Sequence, residues 1–283
     1  MDDLTVAMAE VEPFLVAADL ARGNGYVNHE GGDVGGHSTE RSLYRHVANY
    51  LAAADLADRF AARGPVLDVG SGTGALAAWV AQRLKAELHL VDRDPAVRTV
   101  ALRAFPDVQV HAELDEVDPA TVTLVMGMEI LEHIPRAEQL MFLRRLFARV
   151  EPGGLLVLST PDESGYLGGW SGYAPHVGPV DAPTLADLLR LATDGAEVRV
   201  WRMEGDPYHL GPVRRVAQPV ANRVWTRVGP LLGALAQRVA GPAAALANTA
   251  RRHAGPQLSL RVRAIPAEQG RGTGLIGVAR SAA

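Results

Sequence analysis

The segment M-E-I-L-E-H-I-P, residues 128 to 135, concentrates side chains that could do chemistry. Glu129, Glu132 and His133 stand at the offsets i, i+3 and i+4, which share one face of an α-helix. Two carboxylates and an imidazole on one face could bind a metal ion or move a proton. The same spacing also fits a polar helix start that carries no chemistry. The rest of the sequence has to separate these three interpretations.

A second segment, V-L-D-V-G-S-G-T-G-A, has the pattern of a nucleotide-binding turn. Gly70, Gly72 and Gly74 let the backbone turn sharply and approach a ligand closely. Asp92 ends the next predicted strand, where a carboxylate can accept both ribose hydroxyl protons. Asp68 stands where a dinucleotide site usually has an apolar residue, and it would repel a pyrophosphate and suit a cationic amino-acid moiety. These residues therefore predict a nucleoside ligand other than a dinucleotide.

The elements that must position these residues alternate regularly from residue 65 onward. Short apolar strands are predicted at P-V-L-D-V-G, E-L-H-L-V-D, V-Q-V-H-A, V-T-L-V-M-G and L-L-V-L-S-T, with amphipathic helices between them. Such alternation indicates a parallel, doubly wound sheet that binds ligands beyond the carboxyl ends of its strands. A helix near 182–193 and a strand E-V-R-V-W-R follow. The last two strands, L-S-L-R-V-R-A-I-P and T-G-L-I-G-V-A-R, are predicted to form an antiparallel pair.

The sequence before residue 65 differs from this core. Residues 4–21 are rich in alanine, leucine and valine and predict a helix, and a loop with six glycines follows at 23–37. Another helix is predicted to begin near Ser38. We therefore divide the chain into N-terminal helices with a Gly-rich lid (1–63), an α/β core (64–205), a basic helical insertion or substrate cover (206–256) and final core strands (257–283).

Composition narrows the class of protein. The chain has 283 residues, of which 48% are hydrophobic, enough for one large domain with an appendage. It has no cysteine, which excludes disulfides, zinc–thiolate sites and thiol catalysis. No 18-residue apolar run is free of charge, and the first residues are acidic where a secretory signal would be basic. The expected location is therefore the cytoplasm.

Charge is distributed unevenly along the chain. The net charge is −4, yet no Asp or Glu occurs between Pro207 and Pro266, a stretch with nine arginines. One interpretation is an anionic partner, and the apolar stripe of 212–254 would suit peripheral contact with an anionic membrane. The other is a helical lid whose arginines pair with acidic residues of the main body. Nucleic acid is disfavoured as a partner by the net charge and by only 5% aromatic residues.

Four motifs in order, V-L-D-V-G-S-G-T-G, V-D-R-D-P, M-E-I-L-E-H-I-P and E-P-G-G-L-L-V-L-S-T-P, resemble the class I S-adenosylmethionine (SAM) methyltransferases. Within that superfamily the sequence is most similar to the ubiquinone-biosynthesis O-methyltransferase type. The resemblance covers roughly residues 38 to 200 and the last strand. It implies a doubly wound Rossmann-like sheet with an N-terminal helical lid and a helical insertion before the last strand, and SAM as cofactor.

The resemblance also implies roles for the turn residues. Asp68 and Gly70 would flank the methionine moiety of SAM, and Gly72 and Gly74 would shape the loop around it. Asp92 would bind the ribose hydroxyls. We therefore expect these residues to form the cofactor site at the carboxyl edge of the sheet.

Further cofactor contacts are implied by position in the family pattern. Arg93 would lie beside the adenine, and Met128 would pack near the cofactor. Arg41 is the first candidate for the SAM carboxylate, with Arg45 second, because relatives carry an arginine before the first strand. Glu113, after the third strand, is a candidate for reading the adenine.

Methyl transfer to a hydroxyl or carbon acid requires removal of a proton, and this requirement reopens the question of His133. One interpretation is structural: Glu132 and His133 hydrogen-bond their own turn. In a second, His133 is the general base and Glu129 orients it. His37, at the end of the Gly-rich loop, is the alternative base.

The third interpretation is a divalent metal site. The Glu-x-x-Glu-His pattern resembles the metal motif of small-RNA 2′-O-methyltransferases, in which a further histidine follows the fifth strand. His176 stands at about that place and would join Glu129, Glu132 and His133 as a ligand. Two carboxylates with two imidazoles would favour Mn, Fe or Zn over Mg.

The sequence therefore predicts an enzyme, a SAM-dependent methyltransferase acting on a small molecule. The expected reaction is O-methylation of a secondary metabolite or quinone-like compound. The alternatives are N- or C-methylation of a similar molecule, metal-dependent 2′-O-methylation of an RNA 3′ end, and SAM binding without methyl transfer.

Overall fold

In a computed structural model of the chain, nine strands form one mixed sheet flanked by helices. The structure describes residues 3–22, 40–166, 169–205, 208, 217, 219–220, 259–269 and 273–282. The strands are β1 (Asp3–Ala7), β2 (Val66–Val69), β3 (Leu88–Val91), β4 (Gln109–His111), β5 (Val122–Met128), β6 (Val150–Pro161), β7 (Glu197–Glu204), β8 (Ser259–Pro266) and β9 (Gly274–Arg280). The helices are α1 (Met8–Arg22), α2 (Glu40–Arg59), α3 (Ala75–Leu84), α4 (Pro95–Ala104), α5 (Arg136–Phe147) and α6 (Ala182–Ala192).

The strand order is β1-β8-β7-β9-β6-β5-β2-β3-β4. Strands β4, β3, β2, β5 and β6 pair in parallel. Helices cover both faces of this half of the sheet, which is why β2 and β5 are buried along their whole length. The predicted doubly wound Rossmann-like fold is confirmed.

The other half of the sheet corrects one prediction. β8 and β9 do not pair with each other, because β7 lies between them and pairs antiparallel with both. β9 in turn pairs antiparallel with β6 and joins the two halves. β8 alternates between exposed and buried residues and β9 is buried almost throughout, and neither pattern identifies the neighbour against which a strand pairs.

The N-terminal segment also differs from the prediction of a helix over 4–21. Residues 3–7 form β1, which pairs antiparallel with β8 and extends the sheet by a strand. Leu4 and Val6 are buried while Asp3 and Thr5 are exposed, the period-two pattern of a half-buried strand. This alternation spans only five residues, and it merges in the sequence with the helix α1 that follows.

The helices form two layers. α1 packs on α3 and α4, and α2 packs on α3 and β5, so these four helices cover one face. α5 and α6 pack together on the other face through Leu143, Leu146, Leu185 and Leu189, all fully buried. Most of the predicted insertion 206–256 lies outside the described residues, and its domain boundaries stay a prediction. Within the described part of the chain, no helix is long and apolar enough to cross a membrane.

Candidate active site

The glycine-rich turn after β2 is held against the end of β3. The N–H groups of Gly70 and Ser71 donate to Val91 O, at 2.8 and 3.2 Å. Gly72 has a φ of 55°, and a Cβ added there would meet no atom of the described residues within 4 Å. A Cβ at Gly74 would lie 2.4 Å from Leu90 Cδ1. Gly74 is therefore required by packing, whereas Gly72 presents bare backbone to open space, as close ligand approach requires.

Asp68 is a fully buried carboxylate near the end of β2. Its Oδ2 accepts a hydrogen bond from Tyr50 Oη at 2.7 Å, while Oδ1 has no partner among the described residues. Burial, reinforced by the nearby charge of Asp92, raises the pKa of Asp68 to about 7 against the lowering effect of the Tyr50 hydrogen bond. An unpartnered buried carboxylate oxygen requires a donor, preferably a cationic one.

Asp92 is fixed by backbone donors. The Gly72 N–H donates to its Oδ2 at 3.0 Å, and the Asp94 N–H donates to its Oδ1 at 2.9 Å. Burial raises the pKa of Asp92 despite these two bonds. Each oxygen retains acceptor capacity beyond its one N–H bond, which is the requirement for binding vicinal ribose hydroxyls.

The predicted adenine contacts have weaker support. The Arg93 side chain is 81% exposed, and its Nε lies 3.9 Å from Glu113 Oε2. Met128 is buried at the end of β5, next to the chain segment that carries the acidic residues. The roles of Arg93, Glu113 and Met128 toward a ligand stay predictions.

Arg45 in α2 provides a partly buried cation next to Glu129. Its Nη2 donates to Glu129 Oε2 at 3.1 Å, and its Nε is buried without a partner among the described residues. Ser71 Oγ in the glycine-rich turn is likewise a buried atom without a described partner. Arg41 lies in the first turn of the same helix, but its side chain is outside the described residues.

The unpartnered atoms fit the amino-acid end of SAM. Asp68 Oδ1 is an acceptor suited to the ammonium group, and Arg45 Nε and Ser71 Oγ are donors suited to the carboxylate. With Asp92 positioned for the ribose, these residues would hold the cofactor along the carboxyl edge of the sheet.

Glu129, Glu132 and His133 do not share a helical face in the structure. Glu129 directly follows β5 and has a φ of 53°. Its N–H donates to Ser159 O and Oγ, both at 3.0 Å, so it continues the pairing with β6. Only Leu131–His133 coils, as a single 3-10 turn. The strand pairing overrides the helical spacing. Glu129 therefore accepts from Arg45 Nη2 and Asn49 Nδ2, both at 3.1 Å, which contradicts the prediction that it orients His133.

Glu132 and His133 extend from the 3-10 turn toward the end of β6. Glu132 is buried and accepts a hydrogen bond from Thr160 Oγ1 at 2.9 Å. Burial, with the charge of Glu129 added, raises the pKa of Glu132 well above its usual value. His133 Nδ1 donates to Pro175 O at 3.2 Å, and its Nε2 lies 3.9 Å from Glu132 Oε1.

His176 completes the cluster from a different part of the chain. Its ring packs edge-on with the ring of His133 at a centroid distance of 5.1 Å. One ligand atom from each of Glu132, His133 and His176 lies within 4.8 Å of the others, a spacing that could hold a metal ion. The structure thus brings together three of the four predicted metal ligands and directs Glu129 to Arg45 and Asn49.

A buried amide brings the two histidine segments together. Gln139 Nε2 donates to Leu131 O at 3.0 Å and to Gly178 O at 2.5 Å. The Gly178 N–H donates to Glu132 O at 2.9 Å. A Cβ at Gly178 would lie 2.1 Å from Ile134 O, so only glycine allows this close approach. The turn at 131–134 and the loop at 175–178 are therefore docked through backbone groups.

Two site residues escaped the sequence analysis. Glu163 is buried just beyond β6 and hydrogen-bonds His176 Nδ1 and Ser171. Burial opposes the effect of these partners, yet the His176 and Ser171 contacts bring its pKa below the usual value. His46 lies in α2, where burial lowers its pKa, and it interacts with the charges of Glu129, Arg45 and His133. The sequence signal that could have identified Glu163 is its position just after a parallel strand. His37, the alternative base predicted from the sequence, lies outside the described residues.

A buried network joins α2 to the segment after β7. Tyr208 Oη donates to Asn49 Oδ1 at 2.6 Å, and the same oxygen lies 3.1 Å from Arg45 O. Asn49 Nδ2 also donates to Ser159 Oγ at 3.0 Å. Burial raises the pKa of Tyr208, so its hydroxyl stays protonated and remains a donor. Through Asn49, which also donates to Glu129, the network holds the Glu129 side chain in place.

Comparison with known proteins agrees with this geometry. A family model described as a methyltransferase domain matches residues 41–209, more than half of the chain. The chain is 36% identical over 99 residues to ribosomal protein L11 methyltransferase from Geobacter sp. (strain M21), covering 34% of this chain and 31% of the relative. It is 34% identical over 103 residues to carboxy-S-adenosyl-L-methionine synthase from Geobacter metallireducens, covering 32% of this chain and 42% of the relative. The match spans less than half the length of each of these curated relatives.

Among solved structures, the fold resembles phosphoethanolamine N-methyltransferase 2 of Haemonchus contortus in complex with SAM. The TM-score is 0.51 at 14% sequence identity, covering 95% of this chain and 57% of that one. At this identity the likeness shows the fold alone. The family match and the fold agree, and the chain belongs to the family of methyltransferase domains.

Proposed function

We propose that this enzyme methylates a hydroxyl oxygen of a small molecule, a secondary metabolite or quinone-like compound. The observation that carries the proposal is the pair of imidazoles, His133 and His176, beside buried Glu132 at the carboxyl ends of β5 and β6. This position adjoins the cofactor turn, because β5 pairs with β2 in the sheet. A hydroxyl acceptor needs a proton acceptor at such a place, whereas an amine with a free lone pair does not.

SAM, when bound, supplies a methyl group already activated on a sulfonium. The chain must therefore orient the acceptor, exclude water and remove one proton. His133 donates its Nδ1–H to Pro175 O, so the neutral ring has its lone pair on Nε2. Transfer of the hydroxyl proton to His133 Nε2 leaves on the acceptor oxygen the electron pair that forms the new O–CH3 bond, while the S–CH3 bond breaks and its electron pair stays on the sulfur of the departing thioether. The carbonyl of Pro175, in place of Glu129, orients the base.

The acceptor can be identified with isotopically labelled SAM, a host extract and mass spectrometry of the products. We expect a small molecule labelled at oxygen, with fragmentation separating oxygen from nitrogen or carbon. His133→Gln should lower kcat by about 100-fold, in the range that a general base contributes, and leave the Kd for SAM unchanged. His89→Gln, on β3 away from this cluster, is the matched control. Labelling on nitrogen, or full activity of His133→Gln, would contradict the proposal.

A metal-assisted reaction is the second candidate, favoured by the spacing of Glu132, His133 and His176. Imidazole and carboxylate ligands suit Mn, Fe or Zn, which would fix a diol-like acceptor and lower the pKa of its hydroxyl. The metal would also provide the counter-charge for buried Glu132. Prolonged chelation, followed by metal analysis and a rate measurement, tests this role. An unchanged rate in protein shown to be metal-free rules it out.

Two partner predictions stand beside this function. Salt-titrated binding of a 3′-end RNA would support the RNA alternative, and no binding near physiological salt would remove it. Peripheral membrane contact through 212–254 falls mostly on residues outside the described part of the chain. Flotation with anionic liposomes tests that contact directly.

A further inference from the structure

Glu163 contacts only one of the two active-site imidazoles in the described hydrogen-bond pattern. Its Oε1 bonds to Nδ1 of His176, and both side chains are largely withdrawn from water. We propose that Glu163 is a positioning residue, which holds His176 in the Nδ1–H tautomer so that Nε2 presents its lone pair to the acceptor site. This inference rests on the proposed function, because it gives the second imidazole a defined role there.

The carboxylate of Glu163 is itself fixed on both oxygens. Ser171 Oγ donates to Oε1 at 2.7 Å, and the Ser171 N–H donates to Oε2 at 2.9 Å. The Ser171 N–H, the Ser171 hydroxyl and His176 Nδ1 all bond to the Glu163 carboxylate, which when ionised can only accept hydrogen bonds. The proton between Glu163 and His176 therefore belongs to Nδ1 of the imidazole.

The plane of the His176 ring is held by its neighbours. Tyr173 packs edge-on against it at a centroid distance of 4.9 Å, and His133 does so at 5.1 Å. The hydrogen bond of Nδ1 with Glu163 and the edge-on packing of Tyr173 and His133 together fix the orientation of the His176 imidazole. Carboxylates commonly set the tautomer and direction of functional imidazoles in this way.

The turn that carries Glu163 is anchored to the sheet. Asp162 accepts from the Ser164 N–H at 3.0 Å and pairs with the guanidinium of Arg202 on β7. The Asp162 N–H donates to Thr273 O at 2.8 Å, immediately before β9. Glu163 therefore extends from a rigid support, which is the requirement for a residue that positions another.

The tautomer can be read directly by two-dimensional 15N–1H NMR of protein labelled at histidine. His176 is assigned by the signals lost in His176→Gln. Wild type should show protonated Nδ1 and bare Nε2 for this ring. Glu163→Gln should move the ring toward the Nε2–H form, because the amide cannot accept on both of its atoms from Ser171 and His176. It should also lower kcat by about tenfold or more, with the KM for SAM unchanged.

The controls separate positioning from folding. Glu151→Gln makes the same change at a carboxylate bonded to Thr123, in another part of the sheet, and should alter neither the NMR signals nor the rate. Glu163→Asp should recover part of the rate. If circular dichroism shows Glu163→Gln unfolded, Glu163→Asp keeps a carboxylate but withdraws it from Nδ1 by one methylene, and should shift the tautomer in the same direction by less.

Unchanged imidazole signals in the folded variants, or a changed tautomer with wild-type kcat, would overturn the inference. The NMR result does not depend on turnover. Failure to find a hydroxyl acceptor would therefore count against the proposed function and leave the tautomer assignment to be judged separately.

Discussion

At the scale of single residues, Asp68 in the predicted cofactor site has an ionisation that opposes the stability of the fold. Its side chain is fully buried, with one oxygen unpartnered among the described residues. Burial raises its pKa to about 7, whereas an unfolded chain has a value near 3.9. The raised value means that ionising this carboxyl between those two pH values costs folding free energy, which the ammonium group of bound SAM would offset.

We expect SAM affinity to depend on pH through Asp68. Below pH 7 the carboxyl of the free protein is increasingly protonated, and a cationic ligand must displace that proton. Affinity should therefore rise by up to about tenfold per pH unit until pH 7 and then level off. Titration calorimetry between about pH 5.5 and pH 7.5 measures this slope, with proton release on binding at the acidic end.

Asp68→Asn should bind SAM more weakly at pH 7.5 and lose the pH dependence. Its ligand-free form should be more stable than wild type at that pH, because the ionisation cost is removed while Tyr50 keeps an acceptor. Asp107→Asn, at an exposed position, is the control. A slope that persists in Asp68→Asn would assign the titration to another group.

At the scale of elements, the site depends on how turns dock at the strand ends. The 3-10 turn after β5 and the loop before α6 meet through Gly178 and Gln139. This docking places His133 against His176, which lie 43 positions apart in the sequence. The carboxyl ends of the strands support both segments, and the backbone contacts determine how the turn and the loop are aligned with each other.

Gly178→Ala should separate the two imidazoles. The added methyl would lie 2.1 Å from Ile134 O and 2.6 Å from Gln139 Nε2, so the loop must shift. We expect a loss of about 1–3 kcal/mol in the free energy of unfolding. Turnover should fall while SAM binding is retained, because the cofactor turn belongs to other elements.

Gly165→Ala is the matched comparison. It adds the same methyl to a nearby turn where no atom of the described residues lies within 4 Å of the new Cβ. Chemical denaturation, calorimetry with SAM and the methylation rate together measure the contrast. Equal turnover of the two variants would show that the docking is not needed for catalysis.

At the scale of the whole molecule, β1 protects the last strand of the antiparallel half. It pairs with β8 through all five of its residues, and Leu4 and Val6 are buried beneath the sheet. An exposed edge at β8 would provide unpaired backbone groups to another chain. β1 therefore serves both stability and solubility.

Val6→Asp and Thr5→Asp test this role as a pair. Val6 is buried and Thr5 is exposed, although they are adjacent in the same strand. Val6→Asp should lower the free energy of unfolding by about 2 kcal/mol or more and promote aggregation. Thr5→Asp should stay within about 0.5 kcal/mol of wild type. Equal melting temperatures of the two variants would contradict the burial of one face.

The charge asymmetry is also a property of the whole chain. Of the nine arginines in the basic stretch, Arg263 on β8 pairs with Glu204 on β7 at 2.9 Å. This pair joins two strands of the sheet and therefore does not test the interpretation of a helical lid. Most of the other arginines belong to residues outside the described part, where both interpretations stay predictions.

The sequence by itself determined the cofactor half of this protein. A strand, a glycine turn and a helix are consecutive in the chain, and Asp68, Gly72 and Asp92 follow from their positions at the ends of two such units. Parallel strands bring their carboxyl ends to one edge, so local patterns were sufficient to predict that Asp68, Gly72 and Asp92 lie together there, and their role toward SAM stays a prediction.

The tertiary structure decided the acceptor half. Glu129 turned from the predicted helical face to Arg45, because pairing with β6 outweighed the helical spacing. Glu163 meets His176 across 13 positions, and Tyr208 meets Asn49 across 159. Such contacts depend on which turns and strands pack together, and packing between distant segments has no periodic signature in the sequence.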